Sequence, residues 1–150
     1  MEFLREKLQD ILEEFKPIYE AHAKLTASHQ DLFPVQPDWP GYAKVEELGW
    51  LHIQTVRDNG NLIGYMWFMT GPNFNWPNNK IAVMEKYYVK PEYWGKGIGS
   101  KLQELVDIWA KEMGCVRAFG STKISQGNAP ERMMTKNGYT PIEKNWEKVL

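Results

Sequence analysis

Between Tyr87 and Leu102 the chain reads Tyr-Tyr-Val-Lys-Pro-Glu-Tyr-Trp-Gly-Lys-Gly-Ile-Gly-Ser-Lys-Leu. An apolar, strand-like run enters a turn at Pro91. Glycines follow at positions 95, 97 and 99, and then an amphipathic run begins at helical spacing. Strand, tight loop and helix are thereby laid end to end. Glycines without a Cβ let the backbone approach a ligand closely. The first amides of the helix have no acceptor within it, and with the helix dipole they suit a pyrophosphate. Lys96 and Lys101 add positive charge. No Gly-Lys-Ser/Thr follows at Walker A spacing, and the preceding chain does not open a βαβ unit, so neither nucleotide-loop fingerprint applies. On the residues alone, an ordinary glycine turn remains the competing reading.

The remaining periodicities supply the elements around this loop. Phe3, Leu4, Leu8, Ile11, Leu12 and Phe15 share a helical face, which predicts a helix from the N-terminus. Pro17 predicts a break, with Ile18 to Leu25 as a second helix or kinked extension. Residues Ser28–Pro37 read as loop, and Asp38 caps a short helix over Pro40–Leu48 that Gly49 ends. Trp50–Arg57 and Leu62–Met69 form a hairpin about Asp58-Asn59-Gly60-Asn61. Gly71–Asn79, with two prolines and four asparagines, reads as loop, and Lys80–Val89 as a third strand. Gly99–Met113 is an amphipathic helix stopped by Gly114, and Val116–Thr122 a strand. A short helix starts at Asn128 or Ala129 and ends at Asn137-Gly138. Tyr139–Glu143 and Trp146–Val149 read as final strands. The order is α/β with a mixed sheet, not a doubly wound arrangement.

The 150 residues match one domain, expected over 1–150, and can bury a core without disulfides or metals. A net charge of -1 lacks the basic footprint of a protein that binds nucleic acid in bulk. No run approaches ~18 apolar residues, so no membrane span is expected, and Met1–Lys7 lacks the apolar region of a leader. Cys115 is the single cysteine, which fits a reducing, cytoplasmic compartment.

The pattern Val89-x-Pro91-x-Tyr93-Trp94-Gly95-Lys96-Gly97-Ile98-Gly99-x-x-Leu102 resembles motif A of the GNAT acetyltransferase superfamily. Asn128, the helix after it and Asn137-Gly138-Tyr139 resemble the family's later motif, and Gly60-Asn61-Leu62-Ile63-Gly64 its hairpin strand. The likeness runs from about Trp50 to the end. The N-terminal third is similar to small members from phages and prophages. The resemblance implies a mixed, mostly antiparallel sheet whose central strands splay, flanked by helices. It implies an acyl-CoA-dependent N-acyltransferase with acetyl-CoA, or another acyl-CoA, as co-substrate and no metal. The pyrophosphate would lie on the amides of Trp94, Gly95, Lys96, Gly97, Ile98, Gly99 and Ser100, near Lys101 and Asn128. The pantetheine arm would run along Tyr87, Tyr88 and Val89, and a primary amine of a small molecule or protein would attack directly. Many members dimerise, so a homodimer is an expectation of the resemblance. The chain departs from the pattern twice: Trp94 stands where Arg or Gln is usual, and Met134 where many members carry a proton-donating Tyr. These departures favour the alternative, a non-catalytic acyl-CoA-binding module.

Among candidate catalytic groups, Glu85 is a carboxylate in the row Ile81, Val83, Glu85, Tyr87 and Val89, expected on one strand face. If partly buried it would be a raised-pKa base for the acceptor ammonium, and a structural carboxylate is the equal alternative. With Met134 unable to donate a proton, Tyr139 or a water is the substitute acid, or the thiolate leaves unassisted. Phe74, Trp76 and Tyr42 are candidate acceptor contacts, each also readable as packing. His22, His29 and His52 show no metal-ligand spacing, and Cys115 has no paired base.

Overall fold

The structure is a computed structural model that describes all residues from Met1 to Leu150. Five strands form one sheet in sequence order: β1 (Glu2–Glu6), β2 (Leu51–Asp58), β3 (Asn61–Asn73), β4 (Trp76–Val89) and β5 (Arg117–Gly120). The first three pairings are antiparallel, and β4–β5 is parallel. Helices α1 (Leu8–Thr26) and α2 (Trp39–Glu47) cover one face, while α3 (Ile98–Glu112) and α4 (Ala129–Lys136) cover the other. The mixed, mostly antiparallel sheet between helices is the expected α/β class.

Several local predictions hold for the stated reasons. The Asp38 side chain accepts the Gly41 amide at 3.0 Å at the start of α2. Asn59 and Gly60 both take positive φ at the β2–β3 turn, the geometry that matches the twist of a two-residue hairpin. On α3, Ile98, Leu102, Val106 and Ala110 form the buried stripe.

Four predictions need correction. The N-terminus opens as strand β1, not helix, with Phe3 turned to the core and Leu4 exposed on the other side. Pairing with β2 overrides the helical spacing, and the Leu4 carbonyl accepts bonds from the Gln54 and Thr55 side chains. Pro17 does not break α1, because it lies on the exposed side, where the carbonyl deprived of its partner reaches water. Gly71–Asn79 is not a loop: β3 and β4 run on as a long hairpin arm that turns between Asn73 and Trp76. Residues 139 to 150 form no strand, so β5 is the sheet's edge.

Two polar contacts fix α1 to the sheet. Arg57 of β2, nearly buried, binds Glu6 of β1 through Nε at 3.0 Å and Glu14 of α1 at 2.8 Å. Glu14 also accepts the Leu62 amide at 3.1 Å. The amide of Leu8 at the start of α1 donates to Glu46 of α2 at 2.6 Å. The Glu46 carboxylate thus takes the cap position that Lys7 leaves empty. Beneath these contacts Phe15 is fully buried, its ring 4.5 Å from Tyr65 and 6.2 Å from Trp67.

Two consequences are measurable. Phe15→Ala is expected to destabilise the protein by about 3–5 kcal/mol, read from urea denaturation. Burial first, and then the charges of Lys86 and Lys123, hold His22 down to about 4. Burial and Lys80 hold His52 down to about 4 likewise. Unfolded, both would titrate near 6.5. Between those values the unfolded chain binds more protons, so stability falls as pH drops through the window. A His22→Gln, His52→Gln double variant should show a flatter denaturation midpoint there, and an equal slope would refute the assignment.

Candidate active site

The parallel pairing of β4 with β5 begins at Ile81 with Arg117 and stops at Met84 with Gly120. Beyond it, residues 85 to 89 of β4 have no strand beside them on that edge. A narrow cleft of about 50 Å³ opens there, with Glu85, Lys86 and Tyr87 on one wall and Ser121 and Thr122 on the other. Gln103 of α3 and Met133 and Met134 of α4 complete it. A larger hollow of about 360 Å³ lies between the α2–β2 turn and the hairpin arm, lined by Trp50, Pro72, Pro77 and Lys80 among others. It contains none of the predicted site residues.

The glycine loop adjoins the cleft at Gly99, which lies against Tyr87 and Met133, two of the residues that line it. Gly95 and Gly97 take φ of 77° and 76°, the left-handed region that side chains rarely adopt. Gly97 caps α3 without a side-chain bond. No backbone amide from Gly95 through Ser100 donates to a protein acceptor, and the first bond from this segment comes from Lys101, to Gly97 at 3.1 Å. A Cβ at Gly99 would overlap the Tyr87 hydroxyl and lie 3.0 Å from Met133 Sδ, so this glycine lets helix, strand and α4 converge.

The predicted residues divide into those brought together and those not. The amide of Trp94 is already donated to Pro91 at 3.0 Å, leaving Gly95 to Ser100 as the free set. The exposed Trp94 ring sends its indole N–H to the Val89 carbonyl at 2.7 Å. Lys96 lies over the Tyr93 ring at 4.7 Å, and Lys101 pairs with Glu104 at 3.0 Å. Asn128 is exposed at the start of α4, its side chain making no cap bond. Phe74 and Trp76 sit at the tip of the hairpin arm, and Arg117 covers Trp76 at 5.0 Å. Glu85 lies nine positions along the extended strand from Trp76, roughly 30 Å at strand rise, so the structure does not join them. Tyr42, by contrast, lies close enough to Glu85 for that charge to bear on its hydroxyl.

The strand row containing Glu85 requires a correction. Trp67 pairs with Lys86 and Phe68 with Met84, which leaves Glu85 as the extra residue of a β-bulge. Alternation therefore slips. Tyr87 and Val89 pack toward α3 with Met84, while Lys86 and Tyr88 join Glu85 on the side of α1 and α2. Glu85 is exposed, not partly buried as the base reading supposed.

Tyr139, the substitute acid, is committed elsewhere. Its hydroxyl donates to Asp107 at 2.5 Å, and Gln103 donates to both, each at 3.0 Å. Burial, then the Asp107 bond, holds the phenol well above its ordinary value. Burial raises Asp107 against the two bonds that lower it. Sequence reading missed this cluster, although Gln103 and Asp107 at i, i+4 on the apolar stripe of α3 were its visible sign. Burial also raises the Cys115 thiol, away from a reactive thiolate. Tyr139→Phe should cost about 1–3 kcal/mol by leaving the half-buried Asp107 carboxylate short of a donor. Thermal unfolding would read this, and an unchanged midpoint would refute it.

The sequence matches the model of the Acetyltransferase (GNAT) family over residues 6–139. Among curated proteins, none matches it. Solved structures of similar fold include a ribosomal-protein-alanine N-acetyltransferase from Brucella melitensis biovar Abortus 2308, at 16% identity and TM-score 0.74, with 100% of each chain covered. An aminoglycoside acetyltransferase from an uncultured soil metagenomic sample aligns at 9% identity and TM-score 0.79, covering 99% of this chain and 97% of the other. AAC(6')-Iy in complex with the bisubstrate analog CoA-S-monomethyl-acetylneamine aligns at 15% identity and TM-score 0.72, again over 99% and 97%. With the free amides at Gly95–Ser100 and the parting of β4 from β5, the family match over most of the chain establishes that this protein belongs to the GNAT acetyltransferase family.

Proposed function

We propose that the protein transfers an acetyl or other short acyl group from acyl-CoA to a primary amine by direct attack. The observation that carries this is the run of unpartnered amides from Gly95 to Ser100, adjoining the cleft where Gly99 meets Tyr87 and Met133. Successive donors at a helix start suit a diphosphate. The cleft beside Glu85 to Tyr87 is a groove an extended arm can enter. One neighbour of the same fold was solved with a CoA bisubstrate analog, which supports the choice of co-substrate. The residues present therefore fit acyl-CoA. Gly95 to Ser100 would hold its phosphates, and β4 from Tyr87 to Val89 its arm.

When bound, acyl-CoA supplies the electrophilic thioester carbonyl. The chain's own groups do the rest. Glu85, exposed and on the side away from α3, accepts a proton from the incoming ammonium, directly or through one water. Backbone amides along β4 donate to the carbonyl oxygen as charge develops there. Met134 lines the cleft but has no proton to give, and Tyr139 directs its proton to Asp107. The leaving thiolate therefore takes its proton from water. The protein has 150 residues, the scale of one catalytic domain, and no helix is long and apolar enough to cross a membrane.

Release of free CoA thiol from acetyl-CoA across a panel of primary amines is the direct measurement. Glu85→Gln should lower kcat/KM at least tenfold while leaving the KM for acetyl-CoA unchanged. Gly97→Val, which forces a branched side chain into left-handed backbone, should weaken CoA binding at least tenfold by calorimetry. Tight CoA binding without thiol release on any amine, and no effect of Glu85→Gln, would instead favour the binding module that Met134 suggests.

A further inference from the structure

The bulge at Glu85 places two consecutive residues of opposite charge on the acceptor side of the sheet, and only one of them has a role so far. Lys86 is half-buried. Its ammonium lies 5.6 Å from the Tyr19 ring centroid and 5.8 Å from that of Trp67. It forms no ion pair, and neighbouring Glu85 does not reach it. Arg57 shows how this fold treats a cation it means to neutralise: two carboxylates, Glu6 and Glu14, close on it. Beside Lys86, the indole N–H of Trp67 is buried and has no acceptor, although Trp67 is only 1% exposed. Other polar groups on this face include the Tyr19, Tyr42, Tyr65 and Tyr88 hydroxyls and His22, which burial and nearby lysines hold well below its ordinary pKa. Lys123 adds a second positive charge toward His22. The Trp67 donor is closed off from any ligand, so the feature open to an anion is the Lys86 ammonium itself, held over two aromatic rings with no carboxylate partner.

Resting on the acyltransferase reading, we propose that the acceptor is an amine that also carries an anionic group, a carboxylate or a phosphate, which Lys86 holds while Glu85 receives the amine. Adjacent Cα atoms stand about 3.8 Å apart. Two neighbouring side chains can therefore reach the two ends of one small molecule, such as an amino acid, a phosphorylated amino sugar or a phosphorylated amino alcohol. Purely cationic amines are disfavoured, because a second ammonium would meet Lys86 with nothing to screen it.

The test compares three acceptor arms in the thiol-release assay with acetyl-CoA: α-amino acids, phosphoethanolamine and glucosamine 6-phosphate, and matched amines lacking an anion (amino acid amides and spermidine). The wild-type chain should use one anionic arm at least tenfold better in kcat/KM than the third. Which arm leads tells carboxylate from phosphate. Lys86→Gln should raise the KM for the anionic acceptor at least tenfold, with kcat and the KM for acetyl-CoA little changed, and Lys86→Arg should restore it. Calorimetry of the same amines with the CoA-loaded protein reads binding without turnover. Anionic amines that bind wild type but not Lys86→Gln support the proposal even if the acyltransferase reading fails. Preference for spermidine or the amides overturns it, as does an equal loss on every acceptor in Lys86→Gln, or no binding of either anionic arm.

Discussion

The end of pairing between β4 and β5 at Met84 and Gly120 is the constraint from which the rest of the site follows. A parallel pair that continued would satisfy the edge of β4 with backbone of its own chain. Here it stops, and the bulge at Glu85 bends β4 where the pairing ends. The cleft, the Gln103 and Met134 side chains that line it, and the mouth at the glycine loop are all set by this parting. The amides at the helix start, from Gly95 to Ser100, have no protein acceptor.

The two faces of the sheet have different duties. On the α3 side, Ile98, Leu102 and Val106 pack on Met66, Phe68 and Met84 and hold the helix start against the strand. Gly99 permits the close approach of Tyr87, and the Tyr139–Asp107–Gln103 cluster ties the chain after α4 to α3. On the other side, α1 and α2 bring Phe15, Tyr19 and Tyr42 over Tyr65 and Trp67. Arg57 with its two carboxylates keeps α1 in place, so the aromatic wall beside Lys86 rests on an ion-pair network little more than one turn earlier on the same helix. Charge is neutralised where it serves architecture and left open where a ligand can use it.

Several elements were legible because their causes are local. The Asp38 cap, the Asn59-Gly60 turn and the apolar stripe of α3 each depend on residues within a turn of one another. The unread parts depend on distant partners. Glu2–Glu6 is a strand because β2 offers it a ladder, against its own helical spacing. Residues Gly71–Asn79 are strand because two polar, proline-containing segments pair with each other. The α1 start is capped by Glu46, 38 positions away. Phe74 and Trp76 are acceptor candidates only through the resemblance, which treats their segment as a loop near the acceptor entrance, and the paired arm puts them far from Glu85.

By itself the sequence determined the strand–loop–helix unit, since Pro91 restricts the backbone at the turn and glycines at 95, 97 and 99 free it for left-handed conformations, whatever surrounds them. It also determined the family, through residues that sit together in the chain. Only the tertiary structure decided which way Glu85, Lys86 and Tyr87 face. A slip of one residue in a strand inverts every side chain after it. That slip is set by β3 pairing Trp67 with Lys86 and Phe68 with Met84, a match between two strands that no stretch of β4 encodes alone.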